Sequence, residues 1–135
     1  MSARPRILIA DDDVELRAIL SRHLTNRGAE VIEAEDGDQA LARLRADHPH
    51  LVLLDVMMPG HSGWEVAKRI RDDDALRGTG ILMLTGIGEA LNAMTAPIYG
   101  ADERLDKPFA FDDLDARITQ VLGYRHPGVR YGSLP

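Results

Sequence analysis

The stretch LVLLDVMMPG, residues 51–60, decides the fold class. Its four consecutive apolar residues predict a strand that is buried on both faces, as in a parallel sheet covered by helices. The strand delivers one carboxylate, Asp55, to its C-terminal end, and Pro59-Gly60 then turns the chain. In open α/β sheets, chemistry takes place outside the carboxyl ends of the strands. Asp55 is therefore a candidate functional residue.

Strand and helix patterns alternate on both sides of this stretch. Apolar runs predict further strands at residues 7–10, 29–34 and 81–84, with a short fifth strand at 103–106. Helical spacing predicts helices after Asp13, Asp36 and Ser62, a distorted helix at about 89–99 containing Pro97, and a last helix from Phe111 to Gly123. Five β-α repeats predict one α/β domain, a doubly wound five-stranded parallel sheet with helices on both faces.

The composition and the lengths of the apolar runs exclude several classes of function. The net charge of −6 argues against non-specific binding to nucleic acid or to an anionic membrane. Without cysteine, disulfides, thiol catalysis and cysteine-based zinc sites are excluded. The N-terminus has no apolar signal core, and no apolar run approaches the roughly 20 residues of a membrane span. A cytoplasmic protein is expected.

Polar residues follow four of the predicted strands, and their carboxyl ends meet at one edge of such a sheet. They are Asp11, Asp12 and Asp13 after the first strand, Asp55, Thr85, and Lys107 after the fifth. Each is commonplace alone, as a loop acid or a helix cap, but together they indicate a site. Carboxylates about 4 Å apart repel by roughly 4 kcal/mol at an effective dielectric of 20, so the cluster either raises pKa values or holds a cation. Oxygen ligands favour Mg²⁺, and a lysine and a hydroxyl suit phosphoryl oxygens.

These residues resemble the receiver domain of bacterial two-component response regulators, from about Arg6 to Gly123. The resemblance rests on the segments ILIADD (7–12), LDVMMPG (54–60), LTG (84–86), GAD (100–102) and DKPF (106–109). It implies a flavodoxin-like (βα)5 three-layer sandwich with strand order 2-1-3-4-5. The nearest type is a single-domain receiver of the chemotaxis or sporulation-relay kind.

The resemblance also implies a role for each site residue. Asp55 would be the phosphoacceptor, taking a phosphoryl group from a kinase phosphohistidine and losing it by slow autodephosphorylation. Thr85 and Lys107 would contact the phosphoryl group. Mg²⁺, with Mn²⁺ as a substitute, would be bound by Asp11, Asp12, Asp55 and the backbone carbonyl of Met57. The protein would be a signalling protein and not an enzyme acting on other substrates.

One position departs from the family pattern. Receivers usually have an aromatic residue three positions before the lysine, and here that residue is Arg104. The usual aromatic switch is therefore absent. We expect Arg104 to contact a partner or a surface acid instead.

Residues 1–123 are expected to form the receiver domain, and 124–135 a disordered C-terminal tail or linker. Expected partners are a sensor histidine kinase or histidine phosphotransfer protein and a downstream effector protein, without direct contact to nucleic acid or insertion into a membrane. Alternatives are the receiver portion of a larger regulator, a pseudo-receiver binding module and a Mg²⁺-dependent phosphohydrolase. The last would need an Asp-x-Asp pair or an added general acid/base, which the sequence after Asp55 does not offer.

Overall fold

The computed structural model describes residues 4–86 and 100–132. Its strands are β1 (Arg6–Ala10), β2 (Glu30–Ala34), β3 (Leu51–Asp55), β4 (Gly80–Thr85) and β5 (Glu103–Asp106). They pair in parallel, in the order β2-β1-β3-β4-β5. The predicted doubly wound sheet and its strand order are confirmed.

Helices cover both faces of this sheet. They are α1 (Val14–Asn26), α2 (Gly37–Asp47), α3 (Gly63–Asp72) and α4 (Phe111–Arg125). One hydrophobic cluster joins the sheet to α1 and α4, and a second joins it to α2 and α3. The helix predicted at about 89–99, with Pro97, lies outside the described residues.

The central strand β3 explains why the sequence has an uninterrupted apolar run. Leu51 and Leu53 belong to the cluster with α1 and α4, whereas Val52 and Leu54 belong to the cluster with α2 and α3. All four are fully buried. Because successive side chains of a strand point to opposite faces, a strand covered on both sides must be apolar at every position.

The predicted helix starts are confirmed by their caps. The side chains of Asp13, Asp36 and Ser62 accept hydrogen bonds from the backbone N–H groups three residues later. Ser62 and Glu65 form a complete capping box at the start of α3. Helices α1, α2 and α3 therefore begin at fixed positions.

The C-terminal end differs from the prediction in its extent. Helix α4 continues through Arg125, two residues past the predicted end at Gly123. The guanidinium of Arg125 binds the Asp102 carboxylate at 2.7 and 2.8 Å, which anchors the last turn. Beyond it, the Tyr131 hydroxyl donates to Asp115 at 2.5 Å. The described part of the predicted tail thus lies against the domain.

Among the described residues, no helix combines the length and apolarity needed to cross a membrane.

His50 joins the start of β3 to the start of β1. Its Nδ1 accepts the backbone N–H of Arg6 at 2.9 Å, and its ring packs edge-on against His126 with centroids 5.1 Å apart. Burial, followed by the electrostatic effects of nearby His126 and Arg6, holds the pKa of His50 below its usual value of 6.5. The neutral ring is therefore the form that the fold selects.

Acid is expected to weaken the fold through His50. Since the pKa is lower in the folded than in the unfolded chain, the unfolded chain binds more protons, and stability falls as the pH drops below 6.5. Chemical denaturation between pH 8 and pH 5 measures this loss. His50→Gln keeps an acceptor that does not titrate, so it should show a smaller loss than the wild type. Equal losses in the two proteins would contradict the prediction.

Candidate functional site

The predicted polar residues gather where four parallel strands end. Asp55 is the last residue of β3 and Thr85 the last of β4, while Asp11 directly follows β1 and Lys107 directly follows β5. Asp11 and Thr85 are fully buried, and Asp55 is 4% exposed. Parallel strands carry all of their carboxyl ends to one edge, so residues distant in sequence meet there.

Three carboxylates form a cluster at this edge. Oxygen atoms of Asp11, Asp12 and Asp55 lie within 4.8 Å of one another. Asp12 is exposed, whereas the other two carboxylates are buried and Asp11 Oδ1 accepts the backbone N–H of Asp13 at 2.9 Å. Three like charges this close repel strongly. The cluster could hold a metal ion, and its all-oxygen donor set suits a hard cation.

Lys107 supplies positive charge to the cluster. Its Nζ lies 3.0 Å from Asp11 Oδ2 and 3.4 Å from Asp55 Oδ1. Burial alone would lower the pKa of Lys107, but the hydrogen bond to Asp11 and the charges of Asp55 and Asp11 outweigh it and raise the pKa. The ammonium group therefore stays charged beside both buried carboxylates. The backbone N–H of Lys107 donates to the carbonyl of Thr85 at 2.7 Å, which fixes the chain at the point where it leaves β5.

Thr85 is engaged by a residue that the sequence analysis missed. Its Oγ1 donates to Asp106 Oδ1 at 2.5 Å. The two residues are register partners on β4 and β5. The same Asp106 oxygen lies 3.3 Å from Nε of Arg104. Of the two contacts expected for Arg104, the structure shows the one with a surface acid. The sequence pattern gives no clear signal for Asp106 as the neighbour of Thr85, because the pairing depends on the register of β4 against β5.

Met57 lies in the loop between β3 and α3, and the residue is 62% exposed. Two backbone hydrogen bonds hold this loop in place. The N–H of Gly63 donates to the Val56 carbonyl at 2.8 Å, and the N–H of Gly37 donates to the Pro59 carbonyl at 3.2 Å. These bonds fix the loop that follows Asp55 against the starts of α2 and α3.

A doubly wound α/β domain with acids, a hydroxyl and a lysine at its carboxyl edge is the arrangement that the sequence resemblance implies for a receiver domain. The family model described as the response regulator receiver domain matches residues 7–119. The chain is 40% identical over 122 residues to the phosphate regulon transcriptional regulatory protein PhoB of Pseudomonas aeruginosa, covering 90% of this chain and 53% of PhoB. It is 39% identical over 118 residues to the transcriptional regulatory protein AfsQ1 of Streptomyces coelicolor, covering 87% of this chain and 51% of AfsQ1.

Among solved structures, the chemotaxis response regulator CheY4 of Vibrio cholerae superposes with a TM-score of 0.82 at 32% identity, over 89% of this chain and 100% of CheY4. The chain belongs to the response regulator receiver domain family, and it is a signalling module of the two-component type. It spans about half the length of the curated relatives that it matches.

Proposed function

We propose that Asp55 is the phosphoacceptor of this receiver domain. A carboxylate oxygen of Asp55 attacks the phosphorus of a phosphohistidine on a sensor histidine kinase or a histidine phosphotransfer protein. The P–N bond breaks, its electron pair returns to the imidazole nitrogen, and an acyl phosphate forms on Asp55. The observation that carries this proposal is the buried Asp55 carboxylate, 3.4 Å from the ammonium of Lys107 and in one cluster with Asp11 and Asp12.

The residues around Asp55 fit the needs of phosphoryl transfer. A loose transition state requires positioning and neutralisation of charge more than covalent help from the protein. The raised pKa of Lys107 keeps a cation in contact with the acceptor carboxylate. The Thr85 hydroxyl stands at the end of the neighbouring strand and would donate to a phosphoryl oxygen.

We also propose that the site works with Mg²⁺, for which Mn²⁺ can substitute. Asp11, Asp12, Asp55 and the backbone carbonyl of Met57 would hold the ion. Three carboxylates clustered within 4.8 Å are a donor set suited to it. When bound, the ion would offset the negative charge of the phosphoryl group. Lys107 alone leaves the cluster with an excess of negative charge.

The proposed output is a phosphorylation-dependent change in contacts with a downstream effector protein, without catalysis on other substrates. Residues 1–123 would form the phosphoacceptor unit, with 124–135 as a tail or linker. PhoB and AfsQ1 are about twice as long as the matched region and carry the names of transcriptional regulators. A receiver that serves a larger transcriptional regulator is therefore the second candidate.

Phosphorylation with acetyl phosphate tests the assignment of Asp55. With Mg²⁺ we expect intact-mass measurement to show one added phosphoryl group on the wild type and none on Asp55→Asn. Addition of a metal chelator should also prevent the modification. Asp72→Asn, which changes an exposed acid on α3, is the matched control and should be labelled like the wild type.

Three outcomes would contradict the proposal. Labelling of Asp55→Asn would place the acceptor elsewhere. A wild type that neither gains mass nor binds beryllofluoride under any of these conditions would favour a pseudo-receiver binding module. Continuous hydrolysis of an added phosphoester would favour the phosphohydrolase.

A further inference from the structure

The hydroxyl of Thr85 donates its hydrogen bond to Asp106 and not to the proposed phosphoacceptor Asp55. Thr85 is fully buried, and its Oγ1 lies 2.5 Å from Asp106 Oδ1. The two residues face each other across the β4–β5 pair, on the same side of the sheet as Arg104. The acceptor is a carboxyl group, and a hydrogen bond to an ionised acceptor is stronger than one between neutral groups.

A threonine hydroxyl carries one proton, so it can donate to one acceptor at a time. An ionised carboxylate and a phosphoryl oxygen are both acceptors without a proton to give. The bond from Thr85 to Asp106 and a bond from Thr85 to a phosphoryl group on Asp55 therefore exclude each other. Formation of the second requires the loss of the first.

We propose that Asp106 is a positioning residue that holds the Thr85 hydroxyl away from the phosphoacceptor Asp55. Phosphorylation of Asp55 must then break the hydrogen bond between Thr85 and Asp106. This inference rests on the proposed function of Asp55 and names the regulation of that same site. Asp106 sets how readily Thr85 turns to the phosphoryl group. It thereby biases the domain toward the unphosphorylated arrangement.

Arg104 can remain the partner of the Asp106 carboxylate after the Thr85 hydroxyl has turned away. Its Nε already lies 3.3 Å from Asp106 Oδ1, and the two side chains are 37% and 49% exposed. When Thr85 leaves, Asp106 keeps Arg104 as its partner and the charge distribution on this surface changes. The backbone carbonyl of Arg104 accepts a hydrogen bond from Arg117 of α4, so the change occurs next to a helix. The polar pair of Arg104 and Asp106 thus includes the position at which the family pattern has an aromatic residue.

The variant Asp106→Asn weakens the bond from Thr85 to residue 106 and leaves the bond from Thr85 to the phosphoryl group possible. Its neutral amide is a weaker acceptor, and its NH₂ group can donate to Thr85 Oγ1, which frees the Thr85 proton for the phosphoryl group. A hydrogen bond to an ionised group is worth roughly a tenfold change in an equilibrium constant. We therefore expect Asp106→Asn to bind beryllofluoride, with Mg²⁺ present, roughly tenfold more tightly than the wild type.

The experiment is a double-mutant cycle measured by calorimetric titration of the full chain with beryllofluoride. It compares the wild type, Asp106→Asn, Thr85→Ala and the double variant, and Asp55→Asn is titrated beside them to show whether binding depends on Asp55. Removal of a negative charge near the site acts in both backgrounds, whereas release of the hydroxyl requires Thr85. Asp72→Asn, which changes an exposed acid at the last residue of α3, is the control for a changed net charge. In the unliganded proteins, NMR of the Thr85 methyl group reports its rotamer.

We expect the tighter binding of Asp106→Asn to disappear in the Thr85→Ala background and its unliganded Thr85 rotamer to differ from that of the wild type. Equal affinities of the wild type and Asp106→Asn, or an equal gain in both Thr85 backgrounds, would overturn the proposal. Failure of the proposed function is distinguishable, because beryllofluoride would then not bind in an Asp55-dependent manner at all. In that event an unchanged Thr85 rotamer in unliganded Asp106→Asn would still overturn the role of Asp106.

Discussion

Replacing Gly63 with alanine is expected to lower the free energy of unfolding by about 3 kcal/mol. Gly63 is the first residue of α3 and lies directly against the end of β3. A Cβ atom at this position would stand 2.4 Å from the carbonyl oxygen of Asp55 and 2.9 Å from Cα of Val56. Both atoms belong to the backbone, so no side-chain rotation can relieve the overlap.

The strain in this variant must move either the start of α3 or the end of β3. The second displacement would shift Asp55 relative to Lys107, so phosphorylation by acetyl phosphate should fall together with stability. Chemical denaturation measures the stability and intact mass measures the phosphorylation. The matched control is Gly123→Ala within α4, where a Cβ meets no atom within 4 Å. It should raise stability by up to about 1 kcal/mol, because alanine favours helix over glycine.

If both glycine variants had the same stability as the wild type, the close approach of Gly63 to Asp55 would be disproved. A loss of stability in Gly63→Ala with normal phosphorylation would show that α3 moves and the strand end does not. The two measurements on Gly63→Ala therefore separate a requirement of the fold from a requirement of the site.

The sheet could be predicted because its strands are buried on both faces. Such strands need apolar residues at every position, and Leu51 to Leu54 provide that run without interruption. The side chains that follow these strands must share one edge of a parallel sheet. The proximity of Asp11, Asp12 and Asp55 thus follows from the order of strands and from no finer detail.

The hydrogen bond between Thr85 and Asp106 depends on something that the sequence pattern does not contain. It requires the register of β4 against β5, and β5 is short, with a polar residue at three of its four positions. Such a strand gives a weak register signal, since little apolar surface would be misplaced by a slip. Arg104 departs from the family pattern and is visible in the sequence alone, whereas its contact with Asp106 is visible only in the structure.

The C-terminal segment shows a second limit of the pattern. Gly123 suggested a helix end because glycine often follows the last helical residue. The helix continues because Arg125, two residues later, binds Asp102 next to β5. A long-range ion pair of this kind is not encoded in local periodicity, and it overrides the local preference of one glycine.

Replacing Lys107 with methionine is expected to lower the free energy of unfolding by about 3 kcal/mol in metal-free buffer. The side chains of Asp11 and Asp55 are 0% and 5% exposed, and the Lys107 ammonium contacts both. Methionine keeps the apolar stem and removes the charge, so the two buried carboxylates and nearby Asp12 repel one another without that cation. Chemical denaturation with a chelator present measures the loss.

Lys68→Met is the matched control, because Lys68 pairs with Asp72 on the surface of α3 and its side chain is 69% exposed. It should change stability by no more than about 0.5 kcal/mol, since exposed ion pairs contribute little. Equal losses in the two variants would mean that Lys107 does not hold the acidic cluster together.

Mg²⁺ provides a further test of the same cluster. A ligand that binds only the folded state stabilises it, and a divalent cation placed among these carboxylates would replace the charge that Lys107→Met has lost. The stabilisation by Mg²⁺ should therefore be larger in Lys107→Met than in the wild type, whereas Lys68→Met should respond like the wild type. If Mg²⁺ stabilised none of the three proteins, the acids at the sheet edge would not be its binding site. The proposed metal site would then fail independently of the ion pair between Lys107 and Asp11.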